Sequence, residues 1–208
     1  MNWSEGKADR FEITSRNGNT FTGEYENIAA YEVKKSDGTK VETTVHSDNK
    51  ISFPTEVGET YTIDFHSTPE KLQGVIDQAK ELAAKMDDEL LADQKAHLEE
   101  LIEAAEKVVE EEKSDEYYNH SQILLKAIKV GEAAITLKDS YYAAEEVYEG
   151  RDVNEDWASY INTAADLDNQ LDAAIELLKD KECTVTELNL MKKSVDEAKD
   201  ALLGIWDN

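Results

Sequence analysis

Two pairs of adjacent tyrosines are the side chains of this chain whose chemistry best suits ligand binding. They are Tyr117-Tyr118 and Tyr141-Tyr142. Neighbouring positions on a helix lie about 100° apart, so both members of a pair cannot face one narrow apolar stripe. One tyrosine of each pair could therefore offer the flat face of its ring to a sugar. The alternative is that these rings pack at the edge of a core and keep their hydroxyl groups in water.

Carboxylates are abundant, and a glycosidase needs only two of them for catalysis. The chain has 47 Asp and Glu residues. Runs such as Glu99-Glu100 and Glu110–Glu112 have the spacing of a helix surface, with lysines at i±4 positions, which is typical of a solvated face. A catalytic pair needs a pocket that moves the two pKa values apart, and thin antiparallel bundles rarely supply one. We therefore expect no catalytic residue in this chain.

The possible metal ligands lack the spacing of a metal site. The histidines are His46, His66, His97 and His120. They are far apart in sequence, and no zinc-type spacing is present. The segment Asp152–Asp156 copies the first half of a calcium loop, but Trp157 replaces the required glycine and Thr163 the required glutamate. We expect neither a metal ion nor a cofactor.

The composition limits the classes of partner. The chain has 208 residues with 22 basic and 47 acidic side chains, a net charge of −25. Such a charge repels the phosphate backbone, so we expect no nucleic-acid partner. No run of about 18 apolar residues exists, so we expect no membrane span. The start, Met1–Gly6, lacks the features of a signal peptide, and we interpret the chain as a fragment of a larger protein.

Cys183 is the single cysteine, so no internal disulfide can form. It precedes a predicted helix start, which could lower the pKa of its thiol. The alternative is a small buried residue without reactivity.

The first 66 residues have the alternation of short antiparallel strands. Phe11–Thr14 alternates, and Asn17-Gly18 then favours a tight hairpin with Phe21–Tyr25 as the return strand. Ser36–Thr39 is a second hairpin signal. Later alternation continues at Tyr61, Ile63 and Phe65. About six strands make a core so small that we expect it to depend on the helices or on neighbouring sequence.

From Ser67 onward the pattern is helical. We expect helices near residues 69–86, 88–112, 118–149, 154–180 and 185–205. Ser67-Thr68-Pro69 is a strong helix start, and Thr184–Glu187 is a capping box. Short connections favour an elongated antiparallel bundle.

A register of apolar, apolar, acidic and alanine residues at positions 0, 4, 5 and 7 recurs four times in these helices. The copies are Leu72-Ile76-Asp77-Ala79, Leu98-Ile102-Glu103-Ala105, Leu167-Leu171-Asp172-Ala174 and Met191-Val195-Asp196-Ala198. Spacings of four and seven place the apolar members on one stripe, with the acid beside it. The register therefore predicts a packing seam between helices.

Together these patterns predict a segregated α+β fold. We expect a small antiparallel, β-sandwich-like domain over residues 1–66 and a helical bundle over 67–208. The bundle is either one module or two, 67–118 plus 119–208. Residues 1–66 contain 7 basic and 12 acidic side chains, so the helical part carries −20 of the net charge of −25.

Residues 3–65 resemble the C-terminal β-domain of a family of bacterial alpha-L-fucosidases. The matching segments are Phe11–Asn19, Ser36–Val41 and Ile51–Ile63. The resemblance implies a parent enzyme whose catalytic centre lies in a separate helical barrel upstream. No catalytic residue can be transferred to this chain.

The helical part, residues 69–206, resembles FIVAR modules, which are three-helix modules of large bacterial surface proteins and secreted glycosidases. The matching segments are Asn154–Trp157, Leu171–Ala174, Thr184–Leu188 and Val195–Leu203. Residues 69–136 would be a more divergent copy. The two resemblances imply an extracellular or cell-wall-associated ancillary region of an alpha-L-fucosidase-like enzyme, attached to the rest of that polypeptide upstream.

Three functions follow from these patterns. The first is a non-catalytic spacer and interaction region, with other surface proteins or glycans as partners. The second is a carbohydrate-binding module that recognises host glycans through exposed tyrosines, among Tyr117, Tyr118, Tyr141 and Tyr142. The third, an enzyme in its own right, has no candidate pair of residues that stands apart from the surface charge.

Overall fold

The computed structural model describes residues 2–4, 7–24, 30–47, 50–150 and 158–206. The strands are β1 (Asn2–Ser4), β2 (Lys7–Thr14), β3 (Phe21–Glu24), β4 (Ala30–Lys35), β5 (Thr44–Ser47), β6 (Lys50–Phe53) and β7 (Thr60–His66). The helices are α1 (Pro69–Lys85), α2 (Ala92–Glu110), α3 (Tyr117–Glu149), α4 (Ala158–Lys179) and α5 (Val185–Trp206), with a 3₁₀ turn at Glu89–Leu91. The predicted segregated α+β fold, antiparallel strands followed by helices, is confirmed.

The chain divides into two compact units. One comprises Met1–Ile76 and Ala104–Ile123, and the other comprises Asp77–Glu103 and Leu124–Asn208. The expected domain boundary at residues 66 and 67 stays a prediction. Within the described residues, no helix combines the length and apolarity needed to cross a bilayer.

The strands of the first unit form two antiparallel sheets. One has four strands in the order β1-β2-β7-β4, and the other has three in the order β3-β6-β5. Phe11 of β2 lies opposite Ile63 of β7, and Phe21 of β3 lies opposite Phe53 of β6. The rings of Phe53 and Tyr61 have centroids 5.4 Å apart and thus join the two sheets.

The observed strand pairing differs from the prediction at the first expected hairpin. The prediction that Asn17-Gly18 joins two paired strands is wrong, because β2 pairs with β7 while β3 pairs with β6. Gly18 does adopt a positive φ of 66°, but the loop crosses from one sheet to the other. Hydroxyl hydrogen bonds hold this loop, since Ser15 Oγ lies 2.6 Å from Thr55 Oγ1. The predicted turn at Ser36–Thr39 is present, since Lys35 N donates to Thr39 O at 2.8 Å, but β4 and β5 on either side of it belong to different sheets.

A helix completes the core between the sheets. The buried members of this core are Val33, Ile51, Phe53, Tyr61, Ile63, Phe65 and Tyr118. Tyr118 comes from α3, and its ring centroid lies 6.1 Å from that of Phe65. The alternating residues of β7 therefore bury their side chains as predicted. Tyr118 packs into this core, and the expectation that the core depends on the helices or on neighbouring sequence stays a prediction.

The caps explain where several helices begin and end. Thr68 Oγ1 accepts from Lys71 N at 3.3 Å, which caps α1. Thr184 and Glu187 form the predicted capping box, with Thr184 N donating to Glu187 Oε2 at 2.8 Å and Glu187 N donating to Thr184 Oγ1 at 3.2 Å. At the end of α2, Glu112 adopts a φ of 53°, and Lys113 N donates to Val108 O at 3.1 Å. This is a Schellman motif with a glutamate where glycine is usual.

Several predictions fall on residues outside the described ranges. The predicted helix start at Asn154, the calcium-loop-like segment Asp152–Asp156 and Trp157 all lie there. The described part of α4 begins at Ala158.

The repeated register is buried as expected. Leu72, Ile76, Ala79, Leu98, Ile102, Ala105, Leu167, Leu171, Ala174, Val195 and Ala198 are all buried, and Met191 is half-buried. Asp77, Glu103 and Asp172 are exposed beside these stripes. In the second unit, α3 approaches α1 closely at Gly131, where a β-carbon would lie 2.8 Å from Leu82 Cδ2. The register is therefore a packing seam, as the sequence predicts.

Candidate functional site

The four candidate tyrosines have very different exposures. Tyr117, Tyr118 and Tyr141 are buried, whereas Tyr142 is 42% exposed. In the first pair, Tyr118 packs in the β core, and Tyr117, the first residue of α3, is buried as well. Ligand binding by these residues stays a prediction. Of the four tyrosines, Tyr142 is the one whose ring is accessible to a ligand.

Hydrogen bonds fix the orientation of the second pair. Tyr142 Oη donates to Asp88 Oδ1 at 3.1 Å, and Tyr141 Oη donates to Glu145 Oε1 at 2.7 Å. The two rings meet edge to face, with centroids 5.4 Å apart and planes at 80°. Edge-to-face contact is a favoured aromatic geometry. Tyr142 is therefore held at its hydroxyl and against its neighbour, with one part of its ring left accessible.

Burial and carboxylate neighbours keep both hydroxyl groups protonated. Burial raises the pKa of Tyr141 well above its ordinary value, and the hydrogen bond to Glu145 raises it further. The pKa of Tyr142 is raised by partial burial, by its bond to Asp88 and by the charges of Asp88 and Glu145. Both groups thus act as hydrogen-bond donors rather than as bases near neutral pH.

A shallow cavity of about 360 Å³ lies beside Asp88 and opens to solvent. Its lining residues are Met86, Asp87, Asp88, Glu89, Ala92, Lys95, Ala96 and Glu99. The cavity forms where α1 has ended and the 3₁₀ turn leads into α2. Asp88 caps this turn by accepting from Leu90 N at 3.0 Å on Oδ1. The same local chemistry that turns the chain therefore places a carboxylate between the cavity and Tyr142.

The lining combines apolar and acidic residues. Met86 is buried and lies with two alanines, while four lining residues are acidic and Lys95 is the basic one. Lys95 Nζ lies 3.8 Å from Asp87 Oδ1, and the Asp87 side chain is 93% exposed. Such a surface accepts hydrogen bonds from hydroxyl or ammonium groups and repels anions.

Sequence reasoning missed the part that Asp88 plays. The predicted break between the helices near 69–86 and 88–112 falls at Asp87-Asp88, and Asp88 caps the 3₁₀ turn that follows it. Its contact with Tyr142 joins residues 54 positions apart, and no local pattern encodes such a contact. The only sequence signal was the surplus of acids at a helix break.

Cys183 is buried and free. Burial raises the pKa of its thiol, and the nearby Asp180 raises it further. The suggestion that the following helix start lowers this pKa is wrong, and the alternative of a small buried residue is confirmed. Gln94 Nε2 lies 3.5 Å from the Cys183 Sγ and donates to Asp180 O at 2.6 Å, which ties α2 to the connection between α4 and α5.

The described part of the chain contains no cluster of side chains that could hold a metal ion. Among those residues, no three His, Cys, Asp or Glu side chains converge closely enough to hold an ion.

Comparison with known families gives one match. Residues 1–63 match the model of the glycoside hydrolase family 95, C-terminal domain. Searches of curated proteins and of solved structures found no match. The family match supports the expectation that this β-rich segment is an ancillary region of a glycoside hydrolase. It covers less than half of the chain.

Proposed function

We propose that this chain is a non-catalytic spacer and interaction region of a bacterial glycoside hydrolase of the alpha-L-fucosidase type. The observation that carries the proposal is the match of residues 1–63 to a C-terminal glycoside hydrolase domain. The matched strands share their buried core with Phe65 and with Tyr118 of α3, which lie outside the match. Such a core uses its apolar side chains for packing, which suits a supporting role beside a catalytic domain.

The helical residues extend this region as a charged scaffold. The repeated register buries its apolar stripes, and the acids beside them lie largely at the surface. A strongly negative surface keeps a protein soluble and discourages self-association. We propose that these helices are FIVAR-like, that they hold a catalytic region away from a surface, and that the protein acts outside the cell or at the cell wall.

The proposal is tested by identifying the longer polypeptide to which this chain belongs. Determining the coding sequence upstream of Met1 should reveal an α/α barrel with a catalytic acid. An upstream sequence that encodes an unrelated domain, or a stop codon in frame directly before Met1, would contradict the proposal. Direct fractionation of the source cells then tests the location, since the chain should be found in the wall or the medium.

A second candidate function is carbohydrate binding through Tyr142. The observation that favours it is the exposure of Tyr142, whose hydroxyl donates to Asp88, one of the residues that line an open cavity. A flat, oriented aromatic ring with nearby hydrogen-bond acceptors suits the apolar face and the hydroxyl groups of a pyranose. A glycan array probed with the whole chain tests this function. Saturable signals that disappear in Tyr142→Ala support it, and a uniform background across neutral and charged glycans contradicts it.

A further inference from the structure

The loop from β2 to β3 contains Asn17-Gly18, the single Asn-Gly step of the sequence. An asparagine followed by glycine can lose its side-chain amide without an enzyme. The backbone nitrogen of the glycine attacks the side-chain carbonyl carbon of the asparagine, ammonia leaves, and a cyclic succinimide forms. Water then opens the ring and gives aspartate or isoaspartate. Asn17 is exposed, so water has access to its side chain.

The fold requires glycine at the second position of this step. Gly18 adopts a φ of 66°, a left-handed conformation that side chains with a β-carbon disfavour. A β-carbon on Gly18 would also lie 3.0 Å from Val57 Cγ2. The residue after Asn17 is therefore one whose small size leaves the backbone nitrogen accessible for attack.

Two hydroxyl groups hold that backbone nitrogen in the folded protein. Gly18 N donates to Ser15 Oγ at 3.1 Å, Ser15 Oγ lies 2.6 Å from Thr55 Oγ1, and Thr55 Oγ1 donates to Asn19 O at 2.5 Å. A hydroxyl group has one hydrogen to donate, so Ser15 donates to Thr55. The three hydrogen bonds thus run in one direction, and each strengthens the next.

Backbone hydrogen bonds fix Ser15, the acceptor of Gly18 N. Ser15 N donates to Glu59 O at 2.9 Å, and Gly58 N donates to Ser15 O at 2.7 Å. Ring closure requires Gly18 N to lose its proton and to move against the side chain of Asn17. Its hydrogen bond to Ser15 must therefore break, which requires a local opening of the loop.

We propose that Asn17 is a site of spontaneous deamidation whose rate is set by the hydroxyl pair of Ser15 and Thr55. While the pair is in place, Gly18 N is held away from the reaction, and the reaction proceeds from the opened loop. Both products add one negative charge. Isoaspartate also adds a methylene group to the backbone before Gly18 N, which displaces this atom from Ser15. The modification therefore marks irreversibly those molecules whose loop has opened.

Peptide mapping by mass spectrometry of the whole 208-residue chain measures the reaction. The chain is incubated at mildly alkaline pH in buffer or in concentrated urea, and the conversion of each asparagine amide to an acid is followed by its increase in mass. Electron-transfer fragmentation identifies isoaspartate. In urea, we expect Asn17 to react faster than every other asparagine. In buffer, its reaction should be at least about tenfold slower, because the loop is ordered and its hydrogen bonds are made.

Matched variants test the part played by the hydroxyl pair. Ser15→Ala removes the acceptor of Gly18 N and should raise the rate in buffer about two- to tenfold. Thr55→Val removes the second hydroxyl, should also raise the rate, and serves where Ser15→Ala fails to fold. Thr60→Val is the control, because its hydroxyl pairs with Thr14 Oγ1 at 2.9 Å and it should leave the rate unchanged. In urea, all variants should react as fast as the native sequence.

Four results would overturn the proposal. Equal rates at Asn17 in buffer and in urea would mean that the fold does not protect it. A rate in urea no higher than that of the other asparagines would exclude it as the preferred site. Unchanged rates in Ser15→Ala and Thr55→Val would exclude the hydroxyl pair. An equal rise in Thr60→Val would mean a general loss of stability instead of a local opening.

Discussion

Replacing Tyr118 by alanine removes a helical side chain from the buried cluster between the two sheets of the first unit. Tyr118 is 8% exposed, and its ring lies against that of Phe65. Truncation of a buried aromatic residue to alanine costs about 3–5 kcal/mol. We expect about 3 kcal/mol here, because the tyrosine lies at one side of the core and retains slight exposure. Domains are stable by only about 5–15 kcal/mol, so such a loss is large.

Hydrogen exchange followed by mass spectrometry measures this loss locally. A change of about 3 kcal/mol corresponds to roughly a hundredfold increase in the population of the open state. Peptides from β7 should therefore exchange about a hundredfold faster in Tyr118→Ala. Tyr118→Phe keeps the ring and should change the rate only slightly. Unchanged exchange in β7 of the alanine variant would refute the claim that α3 completes the β core.

Three further predictions concern caps and pH. Thr184→Ala removes the hydroxyl of the capping box and should lower the free energy of unfolding by about 1 kcal/mol in urea titrations; an unchanged midpoint would exclude a stabilising cap. Glu112→Gly relieves a left-handed backbone position and should raise that free energy by about 1 kcal/mol; a loss would contradict the Schellman assignment. Hydrogen bonds from Lys34 and Lys40 lower the pKa of Glu32 from 4.5 to about 2. Its stabilising contribution is therefore complete above about pH 4.5 and is lost as the pH falls towards 2. Glu32→Gln should be less stable than the native chain at neutral pH and should lose less stability on acidification; parallel pH profiles would refute this.

Local patterns predicted the elements well where the physical cause was local. The period of two at Tyr61, Ile63 and Phe65 predicted a buried strand face, and all three are buried. The capping box at Thr184 is a contact over three residues, so its sequence pattern nearly determines its geometry. The same holds for the recurring apolar stripes, whose spacing already fixes one helix face.

Strand pairing was predicted less well because it is decided by distant partners. Asn17-Gly18 has the composition of a tight hairpin turn, yet β2 and β3 each pair with a later strand. The loop at residues 15–20 is held by Thr55, a residue from a distant part of the sequence. A turn motif indicates which backbone angles are accessible locally. It does not indicate which strands pair with each other.

The candidate site also depends on contacts between distant residues, which local patterns do not predict. The tyrosine pair at residues 141 and 142 stood out in the sequence, and the expectation that one member is exposed and the other packed fits this pair. It does not fit Tyr117 and Tyr118, because Tyr118 packs in the β core and Tyr117 is buried as well. The partner of Tyr142 is Asp88, whose position depends on how α1 ends and how α3 packs near it.

The most direct test of the proposed non-catalytic role is an assay of hydrolysis by the purified 208-residue chain. Aryl α-L-fucoside and a panel of other aryl glycosides would be incubated with it, and release of the aryl group would be followed against a buffer blank. We expect release at the rate of the blank for every substrate. Turnover that scales with the concentration of the chain and is abolished by substitution of one of its carboxylates would contradict the account.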